Sequence, residues 1–117
     1  SWGEIKIMKE SGFDFGAHTL THPDLTRLSR DDAAREMTAS RDVISRALGA
    51  PVSTFAYPYG RYDASSLAIA QEEFTCACSD ELGLLTASSP LHAIPRVDSF
   101  YLRGERLFGL VRSPQLP

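Results

Sequence analysis

Two imidazoles stand four residues apart in His18-Thr19-Leu20-Thr21-His22. Imidazole is a borderline ligand suited to zinc and similar divalent ions, and a catalytic zinc ordinarily takes three protein ligands plus water. Two histidines are therefore an incomplete site. The residues alone leave two readings open: a metal-ligand pair, or two solvated or capping histidines. A second stretch, Phe55-Ala56-Tyr57-Pro58-Tyr59-Gly60, has the composition of a strand end running into a proline turn. It reads either as a core strand closed by a tight turn or as a pocket lining. In the second case aromatic walls and backbone N–H groups are available to stabilise an oxyanion.

These residues must be positioned by the elements around them. Trp2, Ile5 and Met8 recur at threes and predict a helix face, stopped by Gly12. Phe13 to Ala17 alternates like a strand, and His18 to Thr26, polar and containing Pro23, is a loop. Ser29 supplies a helix cap, with Asp31 and Asp32 at the positive end of the dipole. Ala33, Met37, Ile44 and Leu48 then form the stripe of a helix from Arg30 to Leu48, ended by Gly49 and Pro51. Val52 to Tyr57 predicts a strand, and Asp63 caps a short helix from Ala64 to about Glu73. Phe74 to Cys78 is the next strand, Glu81 to Pro90 is mostly loop, and Glu105 to Val111 is a last short helix. Ala93 to Asp98 is a further strand, marked as edge or irregular by Pro95. Cys76 and Cys78, two apart in an apolar run, read as small core residues, because such neighbours rarely form a good disulfide. The alternation of helix and strand predicts parallel strands with crossover helices, in an open sheet or part of a barrel. Functional loops in such folds leave the C-terminal ends of the strands, so the histidine loop and the Pro58 turn are expected on one edge.

In order and spacing these segments resemble the polysaccharide deacetylase family, the carbohydrate esterases that share the chitooligosaccharide deacetylase homology domain. The resemblance is carried by Gly12 through Leu25, by Glu36, Ser40 and Gly49, and by Phe55-Ala56-Tyr57-Pro58-Tyr59-Gly60; it weakens after Phe74. The Phe-Ala-Tyr-Pro-Tyr-Gly form is similar to the branch that includes poly-N-acetylglucosamine deacetylases. The resemblance implies an α/β fold, part of a distorted (β/α) barrel, with residues 1–117 forming one partial catalytic domain whose N-terminal strands are missing. It implies a divalent ion, usually zinc, held by His18, His22 and an aspartate. Thr19 would help hold the histidine loop, the Tyr59 backbone N–H would join the oxyanion hole, and Tyr57 and Pro58 would shape the substrate groove. The family's Thr-Phe-Asp-Asp stretch, source of its base and third ligand, does not occur in the sequence, and Asp14 and Asp24 stand in other contexts. Ala56 occupies the place where the family often has an arginine that holds the base, and Arg96 is the candidate to replace it. His92 is the candidate for the late general-acid histidine, although Pro90-Leu91-His92-Ala93 departs from the family's Leu-x-His form.

The bulk numbers narrow the function further. A net charge of -3 and the lack of a basic cluster argue against nucleic acid as a partner. No apolar run approaches the roughly 18 residues of a membrane span, and no signal peptide is visible. The resemblance implies metal-dependent hydrolysis of N-acetyl groups on N-acetylglucosamine-containing polysaccharide, at the cell envelope or exterior. The 117 residues are expected to be incomplete for catalysis and to self-associate through an exposed sheet edge at Phe13 to Ala17. A non-catalytic carbohydrate- or metal-binding module of the same fold is the alternative. A metal-dependent amidohydrolase acting on a small amide is a third reading.

Overall fold

The structure, a computed structural model, describes residues 1–98 and 103–104. The helix expected from Glu105 to Val111 lies outside the described residues. Helix α1 spans Trp2–Glu10 and opens on a capping box, with Ser1 and Glu4 exchanging side-chain and backbone bonds. Helix α2 spans Arg30–Leu48, as its cap and stop signals predict. The Ser29 side chain accepts the Asp32 N–H, and Gly49 ends the helix at φ 65, a left-handed conformation that glycine adopts without steric cost. Helix α3 spans Ala64–Glu73, capped by Asp63 on the Ser66 N–H. The apolar stripe of α2 buries Ala33 and Met37, and α3 buries Ile69 and Ala70. Arg41 ties the two helices, its Nη1 2.7 Å from Glu73 Oε2.

Three short strands, β1 (Thr54–Ala56), β2 (Cys76–Leu82) and β3 (Ile94–Arg96), form a sheet in the order β1-β2-β3. Both pairings are parallel, with Phe55 opposite Ala77 and Cys78 opposite Ile94. The connection from β1 through α3 to β2 is the crossover that the alternating pattern predicts. The expected strand from Phe13 to Ala17 shrinks to one parallel bridge, Ala17 with Phe55. Its bonds run from the Ala17 N–H to Thr54 O (2.8 Å) and from the Ala56 N–H to Ala17 O (3.0 Å). The reason is local: the same register carried back would pair the Phe13 N–H with Ala50 O and the Val52 N–H with Phe13 O, but the Phe13 N–H goes to Met8 O (3.1 Å) at the end of α1 and the Val52 N–H to Ser45 Oγ (3.0 Å). Gly16 permits the close approach, since a Cβ there would lie 2.7 Å from Thr54 Oγ1. β2 also runs beyond the expected end at Cys78, because β3 supplies a partner as far as Leu82 across an irregular register.

The core gathers Ala17, Leu25, Met37, Phe55, Tyr57, Ile69, Phe74 and Ala77. The Phe55 ring meets those of Phe74 at 5.0 Å and Tyr57 at 5.3 Å. Each large apolar side chain buried here contributes roughly 1.5–3 kcal/mol. The cysteines correct an expectation. Ala77 and Ser79 take the buried face of β2, whereas Cys76 and Cys78 are only half-buried and remain free thiols.

Candidate active site

The histidine loop leaves the Ala17 bridge and the Pro58–Gly60 turn leaves β1, so both emerge at the C-terminal edge of the sheet. His18 Nδ1 lies 2.7 Å from Ala56 O. A carbonyl oxygen only accepts, so Nδ1 carries a proton, and in the neutral ring the lone pair is at Nε2. This is the tautomer of a histidine that ligates through Nε2. The His22 ring stands 4.8 Å from the His18 ring, centroid to centroid, and 4.7 Å from the Tyr59 ring. Two imidazoles on one tetrahedral zinc, with bonds of about 2.0–2.1 Å, have centroids about 5 Å apart. The separation of the two rings therefore fits a shared divalent ion. Among the described residues no group of three His, Cys, Asp or Glu side chains converges on one point.

The two loops are clasped together by residues whose part the sequence did not reveal. Asp24 Oδ1 accepts the Thr26 N–H (3.2 Å) and hydroxyl (2.6 Å), while Oδ2 lies 3.0 Å from Arg61 Nη1 and 3.7 Å from Arg27 Nε. The Thr26 bonds, then Arg61, hold the Asp24 carboxyl below the usual carboxylate range. Pro-Asp-x-Thr was the only signal of this: an aspartate whose side chain bonds two residues onward. His22, Pro23, Asp24, Arg27, Tyr59 and Arg61 line an open groove of about 520 Å³ beside the histidines. Tyr59 is exposed and left-handed at φ 56, a rare conformation for a bulky residue. Behind it the Asp80 side chain packs on Gly60, a contact that no sequence signal indicated.

The structure brings some predicted site residues together and leaves others apart. Arg96 lies on the same edge as the histidines, its Nε donating to Ser79 O at 2.6 Å. Asp80, Leu82, Arg96, Val97 and Asp98 line a cleft of about 530 Å³ over the ends of β2 and β3. Tyr57 and Pro58 are corrected as groove walls. Tyr57 is 1% exposed, packs on Phe55 and Tyr62, and donates its hydroxyl to His92 O at 2.9 Å. Burial pushes its phenol pKa up. Pro58 is buried beside it, so both brace the turn from behind. His92 is corrected as the general acid. It precedes β3 at the N-terminal edge, and its Nε2 lies 2.9 Å from Phe74 O, before β2. β1 and β2 lie between β3 and the Ala17 bridge that precedes His18.

A parallel α/β sheet with a histidine pair at its C-terminal edge defines the class: an α/β fold whose loops of interest leave the strand ends. The polysaccharide deacetylase family model matches residues 1–73, and the chain belongs to this family. It is similar to the Streptococcus pyogenes deacetylase PplD, solved with acetate, at 32% identity over 83% of this chain and 43% of that one, with a TM-score of 0.80. It is similar also to BC0361, a polysaccharide deacetylase from Bacillus cereus, at 30% identity, 83% and 31% coverage, and a TM-score of 0.75. Chitin deacetylase 1 of Cryptococcus neoformans var. grubii is 37% identical over 62 residues, 53% of this chain and 13% of that protein. The chain thus spans less than half the length of these relatives, and its sheet is part of the deacetylase fold.

Proposed function

We propose that residues 1–117 belong to the catalytic domain of a deacetylase that hydrolyses N-acetyl groups on N-acetylglucosamine-containing polysaccharide, at the cell envelope or exterior. The observation that carries this reading is the His18–His22 pair, with Nδ1 of His18 held by Ala56 O and the two rings 4.8 Å apart. An N-acetyl amide is unreactive, so hydrolysis needs an activated water, stabilisation of the developing oxyanion and a proton for the leaving amine. A divalent ion, zinc by family resemblance, would be held by His18 and His22 and supplies a water of pKa about 7 together with polarisation of the acetyl oxygen.

The chain's own residues do the rest of the positioning. His18 presents Nε2 because the Ala56 carbonyl fixes its tautomer and ring. The Tyr59 N–H, at a turn beside His22, is assigned to the acetyl oxygen as its charge develops. Arg96, on the same edge, is assigned to orient the carboxylate base. That base and the third ligand are assigned to the part of the deacetylase fold that residues 1–117 do not span. Exposed Ile7 and Phe13, with the sheet edge at Ala17, are the proposed self-association surface of the 117-residue piece.

The test is acetate release from an N-acetylglucosamine oligomer, by the natural chain and by residues 1–117, with and without a chelator. Chelator-sensitive release by the natural chain and little by the piece is expected. Equal, chelator-insensitive release by both would reject the assignment. No release by the natural chain, with oligomer still bound, would favour a non-catalytic carbohydrate module.

A further inference from the structure

Glu36 lies in α2, and its half-buried carboxylate reaches out to the histidine loop. Oε2 accepts the backbone N–H groups of Leu20 (2.8 Å) and Thr21 (2.9 Å), and Oε1 accepts the Thr21 hydroxyl at 2.9 Å. One carboxylate thus takes three donors from two consecutive residues, both lying between the two histidines. The loop has reason to need such a hold. Thr19 and His22 adopt left-handed backbone conformations, φ 67 and φ 59, and Thr19 is β-branched. Strained residues of this kind persist only where the surroundings over-determine them. The His18 end is fixed by Ala56 O and by Ser40 Oγ, which accepts the His18 N–H. Inside the loop, Thr19 Oγ1 accepts the His22 N–H at 3.1 Å. Glu36 supplies the hold from the helix, at the point where the chain turns from one histidine to the other.

We infer that Glu36 is a positioning residue: by gripping the Leu20 and Thr21 amides it sets the separation of the His18 and His22 rings, and thereby the affinity of the metal site. This rests on the reading of the pair as metal ligands. Groups that orient ligands in this way are typically worth about 10–100-fold in metal affinity.

The experiment measures zinc affinity in the natural chain by competition with a chromophoric chelator. Amide exchange at Leu20 and Thr21 is followed in the metal-free protein. Glu36→Gln keeps a carbonyl oxygen where the two N–H groups need it and removes the charge. Glu36→Asp keeps the charge and withdraws it by one methylene, and Glu36→Ala removes both. Positioning predicts that Glu36→Gln stays within about threefold of the wild type, while the Asp and Ala variants lose about 10–100-fold and exchange the two amides faster. Equal losses for Gln and Ala would mean that Glu36 acts by charge alone, and would overturn the proposal, as would wild-type affinity in Glu36→Ala. If Glu36→Ala does not fold, the contrast between the Asp and Gln variants decides. A wild-type chain that takes up no zinc removes the metal reading itself, and the positioning role with it; slow exchange at Leu20 and Thr21 would then mark the contact as purely structural.

Discussion

Gly60 is the position where a single methyl group should be felt most. It is buried, directly after Tyr59, at φ 64. A Cβ there would lie 1.9 Å from Asp80 Oδ1, 2.0 Å from its Cγ and 2.5 Å from its Cβ. Rotation about the Asp80 side chain can remove the first two contacts but not the third, because the Asp80 Cβ is fixed by the β2 backbone. Either the turn or β2 must therefore move in Gly60→Ala. Left-handed backbone costs an alanine about 1–2 kcal/mol, and forcing an extra carbon into a filled space costs about 1–3 kcal/mol more. The expected loss is the sum, about 2–5 kcal/mol, read as a lower urea midpoint with the slope unchanged. Repeating the substitution in an Asp80→Gly background separates the two causes, since only the backbone cost remains there. A coupling of about 1–3 kcal/mol between the sites is expected. A loss below about 1 kcal/mol, or the same loss in both backgrounds, would refute the packing argument. The displaced turn should also carry Tyr59 away from His22, visible as a shift of the His22 ring resonances.

Other perturbations test other parts of the site. The Asp24 carboxyl is held below its ordinary range in the folded state, so its contribution is present above the unfolded value near about pH 4 and lost as pH falls through the lower folded value. Thermal melts below about pH 4 should therefore show a shallower acid dependence in Asp24→Asn than in the wild type; an identical dependence would count against the Asp24–Arg61 clasp. Arg96→Ala in the natural chain should lower kcat at least about tenfold with little change in KM, as loss of an oriented base does; unaltered turnover would remove Arg96 from the mechanism. Because Cys76 and Cys78 are free thiols on one face of β2, a reducing agent should leave the melting temperature unchanged. A drop would mean that these two thiols are oxidised in solution, contrary to this fold.

Much of this fold was legible where local chemistry and burial agree. Helix α2 begins at Ser29 and ends at Gly49 as its cap and stop residues require. The parallel pairing of β1 with β2 followed from the helix between them; that of β2 with β3, joined without a helix, did not follow from alternation. The Phe13–Ala17 strand failed because side-chain alternation cannot tell whether the backbone donors are already taken, as the Phe13 N–H is by Met8 O and the Val52 N–H by Ser45 Oγ. At the site, the spacing placed both histidines in one loop but left open whether they are ligands or solvated residues. The supports of that loop were not readable, because Glu36 is distant in sequence from the loop it grips, and Arg61 from Asp24. Tyr57 misled for a different reason. An aromatic beside a functional turn looks like a pocket wall, and only the packing of Phe55 and Tyr62 against it reveals a core residue.

The central claim is that His18 and His22 hold one divalent ion. Anomalous diffraction at the zinc edge, from crystals of the natural chain grown with zinc, tests it directly. A single strong peak is expected about 2.0–2.1 Å from His18 Nε2 and from a ring nitrogen of His22, lost in His18→Ala and His22→Ala. A peak away from both rings, or none in a chain that deacetylates the oligomer, would contradict it.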